Sequence, residues 1–303
     1  MYEHLVPVPR VNIDNMEELK DGITFVTAYF DLGTMKKGFQ NNNYQGFNTY
    51  KNWINAYSQF NNSVIFFTDS IEMETLFRDL RKRFPLYMTR IIKIDKNKLW
   101  SFKLAPHIKK VFAEPWYPKF PPNTINENYS CAMHAKYDLL EIVINERQYK
   151  TKHLAWIDAG YFRDKETKVF SLETPPDLKK DHIAFMQIDE FQESLTPEDI
   201  IHTNMVWIAG GMFLGQPDYL LPFISDYKSA VNSLITKRLM GTDQQVLYIM
   251  YSNYKDILVR VPIQTYYHKC KCDWFFLGNL CRFIWERKQW RRPSLAYFDA
   301  MTL

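Results

Sequence analysis

The sequence predicts an α/β protein built from layers of strands and helices. Short apolar runs of strand length alternate along the chain with segments whose apolar residues recur at helical spacing. Apolar residues make up 46% of the 303 residues, which is enough for a full hydrophobic core. Because the sequence contains no internal repeat and no low-complexity linker, we expect a single domain over residues 1–303.

The first half of the chain is predicted to hold three strands and two helices. The strands are the apolar runs at residues 23–30, 63–68 and 88–94. Aromatic and apolar side chains recur at helical spacing over residues 47–60, which predicts the first helix. Asp69 with Glu72 resembles a capping box, and it predicts a second helix that extends to Arg83.

A proline-rich stretch at residues 115–122 precludes a helix or a central strand there, so we expect a stiff loop. The elements predicted after it are a helix at 128–146, strands at 153–157 and 182–188, a helix that begins at Thr196 and Pro197, an apolar segment at 206–214 interrupted by two glycines, helices at roughly 217–237 and 242–253, and a strand at 257–261. Strands and helices thus alternate to the end of the chain, as a layered α/β fold requires.

Charge and glycine content exclude several classes of protein. The chain has 38 Lys and Arg against 34 Asp and Glu, a net charge of +4 with a pI of 8.6. This balance is too weakly basic for a protein whose main partner is nucleic acid. Only 10 glycines occur, and neither G-x-G-x-x-G nor G-x-x-x-x-G-K-[ST] is present. A glycine-rich phosphate-binding loop is therefore excluded.

The cysteines and the apolar runs indicate a soluble protein. No run approaches the roughly 18 apolar residues of a membrane span, and the first residues do not resemble a secretory signal. Cys270 and Cys272 form a C-x-C pair without the second close pair that a structural zinc site needs. We therefore expect reduced thiols and a cytoplasmic protein.

Polar residues follow several of the predicted strands. Asp31, Asp69 and the sequence Asp158-Ala159-Gly160 come directly after apolar runs. In open α/β sheets, ligands bind beyond the carboxyl ends of the strands. These residues are therefore the first candidates for a binding site.

The order of the motifs V-T-A-Y-F-D, V-I-F-F-T-D, N-Y-x6-K, W-I-D-A-G-Y, W-I-A-G-G-M-F-L-G and T-D-Q-Q-V-L, over residues 23–250, resembles the HtrL/YibB family of glycosyltransferase-like proteins. The resemblance implies a GT-A-type fold with a Rossmann-like, mostly parallel sheet. A nucleotide-sugar-binding half would cover about residues 20–160 and an acceptor-binding half about residues 161–270. A basic-aromatic extension would follow at about 271–303. The implied activity is transfer of a hexosyl or pentosyl group from a nucleotide-diphosphate sugar to a glycan or a lipid-linked glycan.

The resemblance also implies which residues contact the donor. Asp69 would lie near the base, and Lys136 would face the diphosphate. The side chains or backbone of the remaining donor-binding candidates would border the nucleoside or the transferred sugar: Thr27, Ala28, Tyr29, Asp158, Gly160, Gly210 and Gly211.

Asp158 would occupy the first position of the D-x-D motif, whose acids hold a Mn²⁺ or Mg²⁺ ion on the donor diphosphate. Gly160 stands where the second acid is usual. Two alternatives follow: Asp158 shares the metal with a distant ligand such as His268, or no metal is needed. In the second case Lys136, Arg163 or another cation would neutralise the diphosphate.

The resemblance implies Asp243 as a second catalytic residue, acting as a base or contacting the sugar, with Gln244 contacting acceptor hydroxyl groups. Trp116 and Tyr117 in the proline-rich loop are candidates for an acceptor-binding wall, because sugar faces pack on aromatic rings. The basic and aromatic segment from Cys281 onward suggests contact with an anionic membrane surface.

Each of these residues also has a structural interpretation. Asp69 and Asp243 could simply cap helices, the rings of the proline-rich loop could fix that loop to the core, and the C-terminal segment could be a helix packed on the body. Two other functions remain open. One is a nucleotide- or glycan-binding protein without catalytic activity. The other is a phosphatase-type hydrolase that uses Asp31, because the segment from Tyr29 to Thr34 resembles the D-x-D-G-T nucleophile motif of haloacid-dehalogenase-type phosphatases. In this chain Leu32 replaces the second acid of that motif, and the spacing is shifted.

Overall fold

A seven-stranded sheet forms the centre of the computed structural model, which describes residues 19–39, 43–163, 166–254, 256–268 and 273–291. The sheet strands are β1 (Leu19–Tyr29), β4 (Ser63–Thr68), β5 (Thr89–Lys93), β6 (Thr151–Ile157), β7 (Ile183–Gln187), β8 (Ile208–Gly215) and β9 (Ile263–Tyr266). A separate two-stranded hairpin is formed by β2 (Met35–Lys36) and β3 (Tyr44–Gln45).

Helices cover the sheet on both faces. They are α1 (Phe47–Trp53), α2 (Ile71–Arg81), α3 (Trp100–Lys103), α4 (Ala105–Phe112), α5 (Glu127–Asn145), α6 (Pro197–His202), α7 (Pro217–Thr236), α8 (Asp243–Tyr251) and α9 (Phe276–Arg291), with short 3₁₀ helices at Ile54–Ser58, Leu86–Met88 and Lys96–Lys98. None of the helices in the described ranges is long and apolar enough to cross a membrane.

The order of the strands in the sheet is β5-β4-β1-β6-β8-β7-β9. Strands β5, β4, β1 and β6 are parallel, β8 is antiparallel to both of its neighbours, and β7 is parallel to β9. The predicted α/β class with a mostly parallel sheet is therefore confirmed. The chain runs outward from β1 to β4 and β5, and then returns to β6 on the other side of β1. The carboxyl ends of β1 and β6 thus meet at the point where the strand order reverses.

Two apolar layers enclose the sheet because β1 alternates its side chains between them. Phe25 and Tyr29 belong to the layer that includes α2 and the buried part of α9, whereas Val26 belongs to the layer that includes α5, α7 and α8. A sheet covered on both faces has strands with continuous apolar runs. This is why β1, β4, β5, β6 and β7 lie within two residues of their predicted bounds, apart from a longer N-terminal part of β1.

Three predicted elements differ in the structure. The helix predicted at 47–60 divides into α1 and the 3₁₀ helix Ile54–Ser58. The apolar segment with the two glycines is strand β8. The strand predicted at 257–261 is wrong, and β9 lies at Ile263–Tyr266 instead. Asp226 Oδ2 accepts a hydrogen bond from the backbone N–H of Arg260 at 2.9 Å. Residues 257–261 are therefore bound to α7 and not to the sheet.

The helix starts show which polar residues act as caps. Ser70 caps α2, with its Oγ accepting from the Met73 N–H at 3.3 Å, so the capping box predicted from Asp69 and Glu72 is wrong. The helix start predicted at Thr196 is confirmed: Thr196 Oγ1 accepts from the Asp199 N–H at 3.1 Å, and the side chain of Asp199 completes a capping box. Thr242 precedes α8 and donates to Gln245 Oε1 from both its backbone and its hydroxyl group. Asp243 is therefore the first residue of α8 and not its cap.

Candidate functional site

A cleft lies at the carboxyl ends of β1 and β6. Ala28 and Tyr29 line it from β1, and Asp158, Ala159 and Gly160 line it from the turn after β6. Its walls include the aromatic rings of Tyr50, Trp53, Tyr129 and Trp156. The enclosed part measures about 90 Å³, less than the roughly 300–1,000 Å³ of typical ligand pockets. A nucleotide-sized ligand would therefore extend through the open mouth of the cleft.

A chain of charged groups runs from the core to this cleft. Lys136 lies in the middle of α5, and its Nζ donates to the Gly210 carbonyl at 2.7 Å and to Asp243 Oδ2 at 2.9 Å. The same Nζ lies 3.4 Å from Asp158 Oδ1. The side chains of Lys136 and Asp243 are each 2% exposed, whereas that of Asp158 is 38% exposed. A ligand in the cleft can therefore reach Asp158 but not Asp243.

The electrostatics of this group favour a charged lysine. Burial acts to lower the pKa of Lys136, but the negative charges of Asp158 and Asp243 outweigh it, so the pKa is raised overall. Burial raises the pKa of Asp243, against the opposing attraction of Lys136. Lys136 thus stays protonated at neutral pH, and Asp158 and Asp243 both lie beside a fixed positive charge.

Gly210 faces the buried carboxylate of Asp243. A β-carbon at residue 210 would lie 2.0 Å from Asp243 Oδ2 and 3.2 Å from Lys136 Nζ. The missing side chain therefore makes room for the ion pair, whereas the sequence suggested room for a sugar. At Gly211 an added β-carbon would be in ordinary contact, with Tyr161 Cδ2 at 3.5 Å.

The space beside Gly160 is filled by an aromatic ring. A β-carbon at residue 160 would lie 2.4 Å from Cε3 of Trp53. The guanidinium group of Arg163 covers the same indole at 4.7 Å from its centroid. An aspartate in the second position of D-x-D would therefore collide with Trp53.

The residues around Asp158 do not fit a divalent cation. Asp158 Oδ1 accepts from Trp156 Nε1 at 2.7 Å and faces Lys136, whose positive charge opposes a second cation. His268, the other predicted ligand, follows β9 and its ring contacts Phe276. Across the described ranges, no three or more His, Cys, Asp or Glu residues lie together as a metal site requires.

The remaining donor-binding candidates lie in different surroundings. Thr27 is buried, and its hydroxyl group lies 3.4 Å from that of Tyr57, so its side chain does not face the cleft. Asp69 pairs with Lys96 at 2.6 Å and accepts from the Asp31 N–H at 2.8 Å. Asp69 thus fixes the loop after β1. The carboxylate of Asp31 accepts from Gly33 N–H in the same loop.

The acceptor-binding candidates are also separated by the structure. Trp116 is 55% exposed on the surface of the proline-rich loop, but Tyr117 is buried and its hydroxyl group accepts from the Met240 N–H at 2.7 Å. The ring of Tyr117 therefore fixes the loop to the core and is not part of an exposed wall. Gln244 is half-buried on α8, next to the buried Asp243.

Sequence reasoning missed most of the side chains that form the cleft walls. The helical spacing of Tyr50 and Trp53 indicated core packing, and nothing in the sequence near Lys37 marked it as a cleft residue. The signal that could have found Trp53 is the glycine at residue 160, because a missing side chain after a buried strand indicates close approach by another group.

Two glycosyltransferases are among the solved structures to which this chain is similar. Mouse xyloside xylosyltransferase 1 in its apo form is 13% identical, with 85% of this chain and 89% of that chain covered and a TM-score of 0.41. The PaToxG glycosyltransferase is 12% identical, with 78% and 70% covered and a TM-score of 0.33. Both similarities are too weak to assign an activity.

The sequence relationships are more specific. Protein HtrL of Escherichia coli (strain K12) is 23% identical over 261 residues, which cover 79% of this chain and 87% of that protein. Residues 21–282 match the family described as bacterial protein of unknown function (HtrL_YibB), which confirms the resemblance seen in the motifs. The match covers most of the chain, which therefore belongs to the HtrL_YibB family.

Proposed function

We propose that this protein is a GT-A-type glycosyltransferase that moves a sugar from a nucleotide-diphosphate sugar to a hydroxyl group of a glycan or a lipid-linked glycan. The observation that carries the proposal is the position of the cleft, between the carboxyl ends of β1 and β6. The strand order reverses there, and nucleotides bind at such points in open α/β sheets.

The aromatic walls of the cleft support a ligand with flat or sugar-like faces. Tyr50 and Trp53 meet edge to face with ring centroids 5.2 Å apart, and both line the cleft together with Tyr129 and Trp156. Aromatic rings in such a wall offer apolar surfaces to a base or to the C–H groups of a sugar.

The proposed reaction makes one bond and breaks one. The acceptor oxygen attacks the anomeric carbon, the bond from that carbon to the diphosphate breaks, and its electron pair leaves with the nucleoside diphosphate. The acceptor hydroxyl group also loses a proton, which needs a base within hydrogen-bonding reach. Asp158 is the carboxylate among the residues that line the cleft. We assign the proton-accepting or sugar-contacting role to it, and to Asp243 the role of holding Lys136 in place.

The acceptor would approach from the surface outside the cleft. Trp116 remains a candidate for packing against an acceptor sugar, because its ring is exposed. On α9, Phe283 and Arg287 are exposed and line a second groove of about 710 Å³ beside β9. These side chains support contact of α9 with an anionic membrane surface that carries a lipid-linked acceptor.

The test is an assay of nucleoside diphosphate release from a panel of nucleotide sugars. We expect slow hydrolysis of one donor, which Asp158→Asn reduces by about 100-fold or more. Asp79→Asn makes the same chemical change at an exposed position of α2 and should leave the rate unchanged. Full turnover in Asp158→Asn would remove this residue from the mechanism. Binding of nucleotide sugars without any turnover would instead identify a non-catalytic binding protein.

A further inference from the structure

We infer that the diphosphate of the donor is held by the side chains of Lys37 and Arg163 and not by a divalent cation, an inference that rests on the proposed function. Both side chains line the cleft, Lys37 from the loop after β2 and Arg163 from the turn after β6.

Both cations are positioned by aromatic rings. Lys37 Nζ lies 5.3 Å from the centroid of Tyr129. The guanidinium carbon of Arg163 lies 4.7 Å from the centroid of Trp53 and 5.1 Å from that of Phe275. Within the described ranges neither cation forms an ion pair with a carboxylate. Arg163 Nε donates to the Gly160 carbonyl at 3.4 Å, and the terminal N–H groups of Arg163 and the ammonium group of Lys37 are left for an anionic ligand.

The charge around the cleft fits an anion. Its charged lining residues are Lys37, Arg163 and Asp158, and Asp158 already faces the protonated Lys136. With the buried Asp243, three cations stand against two carboxylates. A planar guanidinium group matches two phosphate oxygens at once, which suits Arg163 to a diphosphate.

The indole ring of Trp53 leaves no room for a second acidic metal ligand, and it also positions the guanidinium group that would take the place of the metal. Trp53 fills the space where the second acid of D-x-D would project from residue 160, and Arg163 packs on that ring. The absence of a carboxylate at Gly160 is thus accompanied by a guanidinium group beside the cleft. When the bond to the anomeric carbon breaks, negative charge grows on the diphosphate oxygen. Fixed positive charges stabilise it without a proton transfer.

The test measures binding of five nucleoside diphosphates (ADP, CDP, GDP, TDP and UDP) and of the parent nucleosides by tryptophan fluorescence, in EDTA and in Mn²⁺. We expect the nucleoside diphosphate that binds most tightly to have the same dissociation constant in EDTA and in Mn²⁺, within about threefold. Arg163→Gln and Lys37→Met should each weaken its binding by about 10- to 100-fold, the usual range for a hydrogen bond to a charged group. Binding of the parent nucleoside should change less than twofold.

Lys110→Met, at an exposed position of α4, is the matched control and should leave nucleoside diphosphate binding unchanged. Binding that requires Mn²⁺, or that is unaffected by Arg163→Gln and Lys37→Met, would overturn this inference and leave the proposed transferase activity standing. Failure of all five nucleoside diphosphates to bind under either condition would overturn both.

Discussion

Replacing Gly210 with alanine should disrupt the buried contacts of Lys136 behind the cleft. The new β-carbon would lie 2.0 Å from Asp243 Oδ2, more than 1 Å closer than the ordinary contact of 3.4 Å. The carboxylate must move, and Oδ2 is the atom that accepts from Lys136 at 2.9 Å. The only alternative is a shift of β8, which would break the bond from Lys136 to the Gly210 carbonyl.

A displaced Asp243 carboxylate breaks the buried ion pair, at a usual cost of about 3–5 kcal/mol. A shift of β8 keeps the ion pair but loses the hydrogen bond from Lys136 to the Gly210 carbonyl, at a cost of about 1.5–3 kcal/mol. Overpacking alone costs about 1–3 kcal/mol. We therefore expect Gly210→Ala to lower the free energy of unfolding by at least about 3 kcal/mol, which would appear as a melting temperature lower by roughly 5 °C. Urea unfolding followed by circular dichroism measures the free energy directly.

Gly211→Ala provides the matched control on the same strand. Its β-carbon would meet nothing closer than 3.5 Å, so the free energy of unfolding should change by less than about 1 kcal/mol. In an Asp243→Ala background, Gly210→Ala should lose most of its effect, since the colliding carboxylate is gone. Equal destabilisation by the two glycine substitutions, or an undiminished effect in the Asp243→Ala background, would refute the reasoning.

Two further perturbations follow from buried contacts. Gly160→Ala places a β-carbon 2.4 Å from the Trp53 ring. This substitution should lower the free energy of unfolding by about 1–3 kcal/mol and shift the tryptophan emission. An unchanged emission spectrum would show that the Trp53 ring does not fill this space. Burial, with the nearby Lys136 charge, lowers the pKa of His134 from 6.5 to about 3. Between these values the unfolded chain binds one proton more than the folded protein, so stability falls as the pH falls, by about 2 kcal/mol at pH 5. His134→Gln should remove that loss in urea unfolding at pH 7 and pH 5, whereas the exposed His107→Gln should retain it.

Strands were predictable from sequence where burial alone determines the pattern. β4 and β6 are covered on both faces, so their apolar runs mark them without reference to any partner. β8 carries an equally apolar run, but its two glycines resemble a break. Their reason lies in residues far along the chain: Gly210 is small because Asp243 occupies the space beside it. A tertiary contact of this kind leaves no local pattern in the sequence.

The C-terminal strand was misplaced for a similar reason. Residues 257–261 are as apolar as a strand needs to be, but strand formation depends on where the backbone N–H groups find acceptors. Asp226 on α7 accepts a hydrogen bond from the N–H of Arg260, and the hydroxyl group of Tyr251 on α8 donates to the carbonyl of Val261. Side chains from two helices thus compete with the sheet for this segment. From Pro262 onward the chain pairs with β7, beginning with the Ile183 N–H, which donates to the Pro262 carbonyl at 3.1 Å.

For the candidate site, the sequence named the charged residues but did not indicate how deeply each side chain is buried. Asp158 and Lys136 were each predicted at the donor diphosphate, and in the structure their ionic groups lie 3.4 Å apart. Asp243 was predicted to act on the substrate, but its side chain is 2% exposed behind Lys136. Depth could not be read from the sequence, because most of α5 is buried and its helical period does not distinguish the face toward the cleft from the face toward α8.

Because Asp158 is exposed and Asp243 is buried, we expect the two carboxylates to have different roles. A carboxylate that faces solvent can exchange protons or bind sugar hydroxyl groups, whereas one sealed behind a lysine can only fix that lysine. Lys136 bonds Asp243 and the Gly210 carbonyl while facing Asp158, so it ties α5, α8 and β8 to the turn after β6. Asp243→Asn should therefore lower stability and distort the cleft, whereas Asp158→Asn should leave the fold intact and remove the proposed chemistry. The two substitutions, compared by unfolding and by turnover, test whether Asp158 is the reactive carboxylate and Asp243 the structural one.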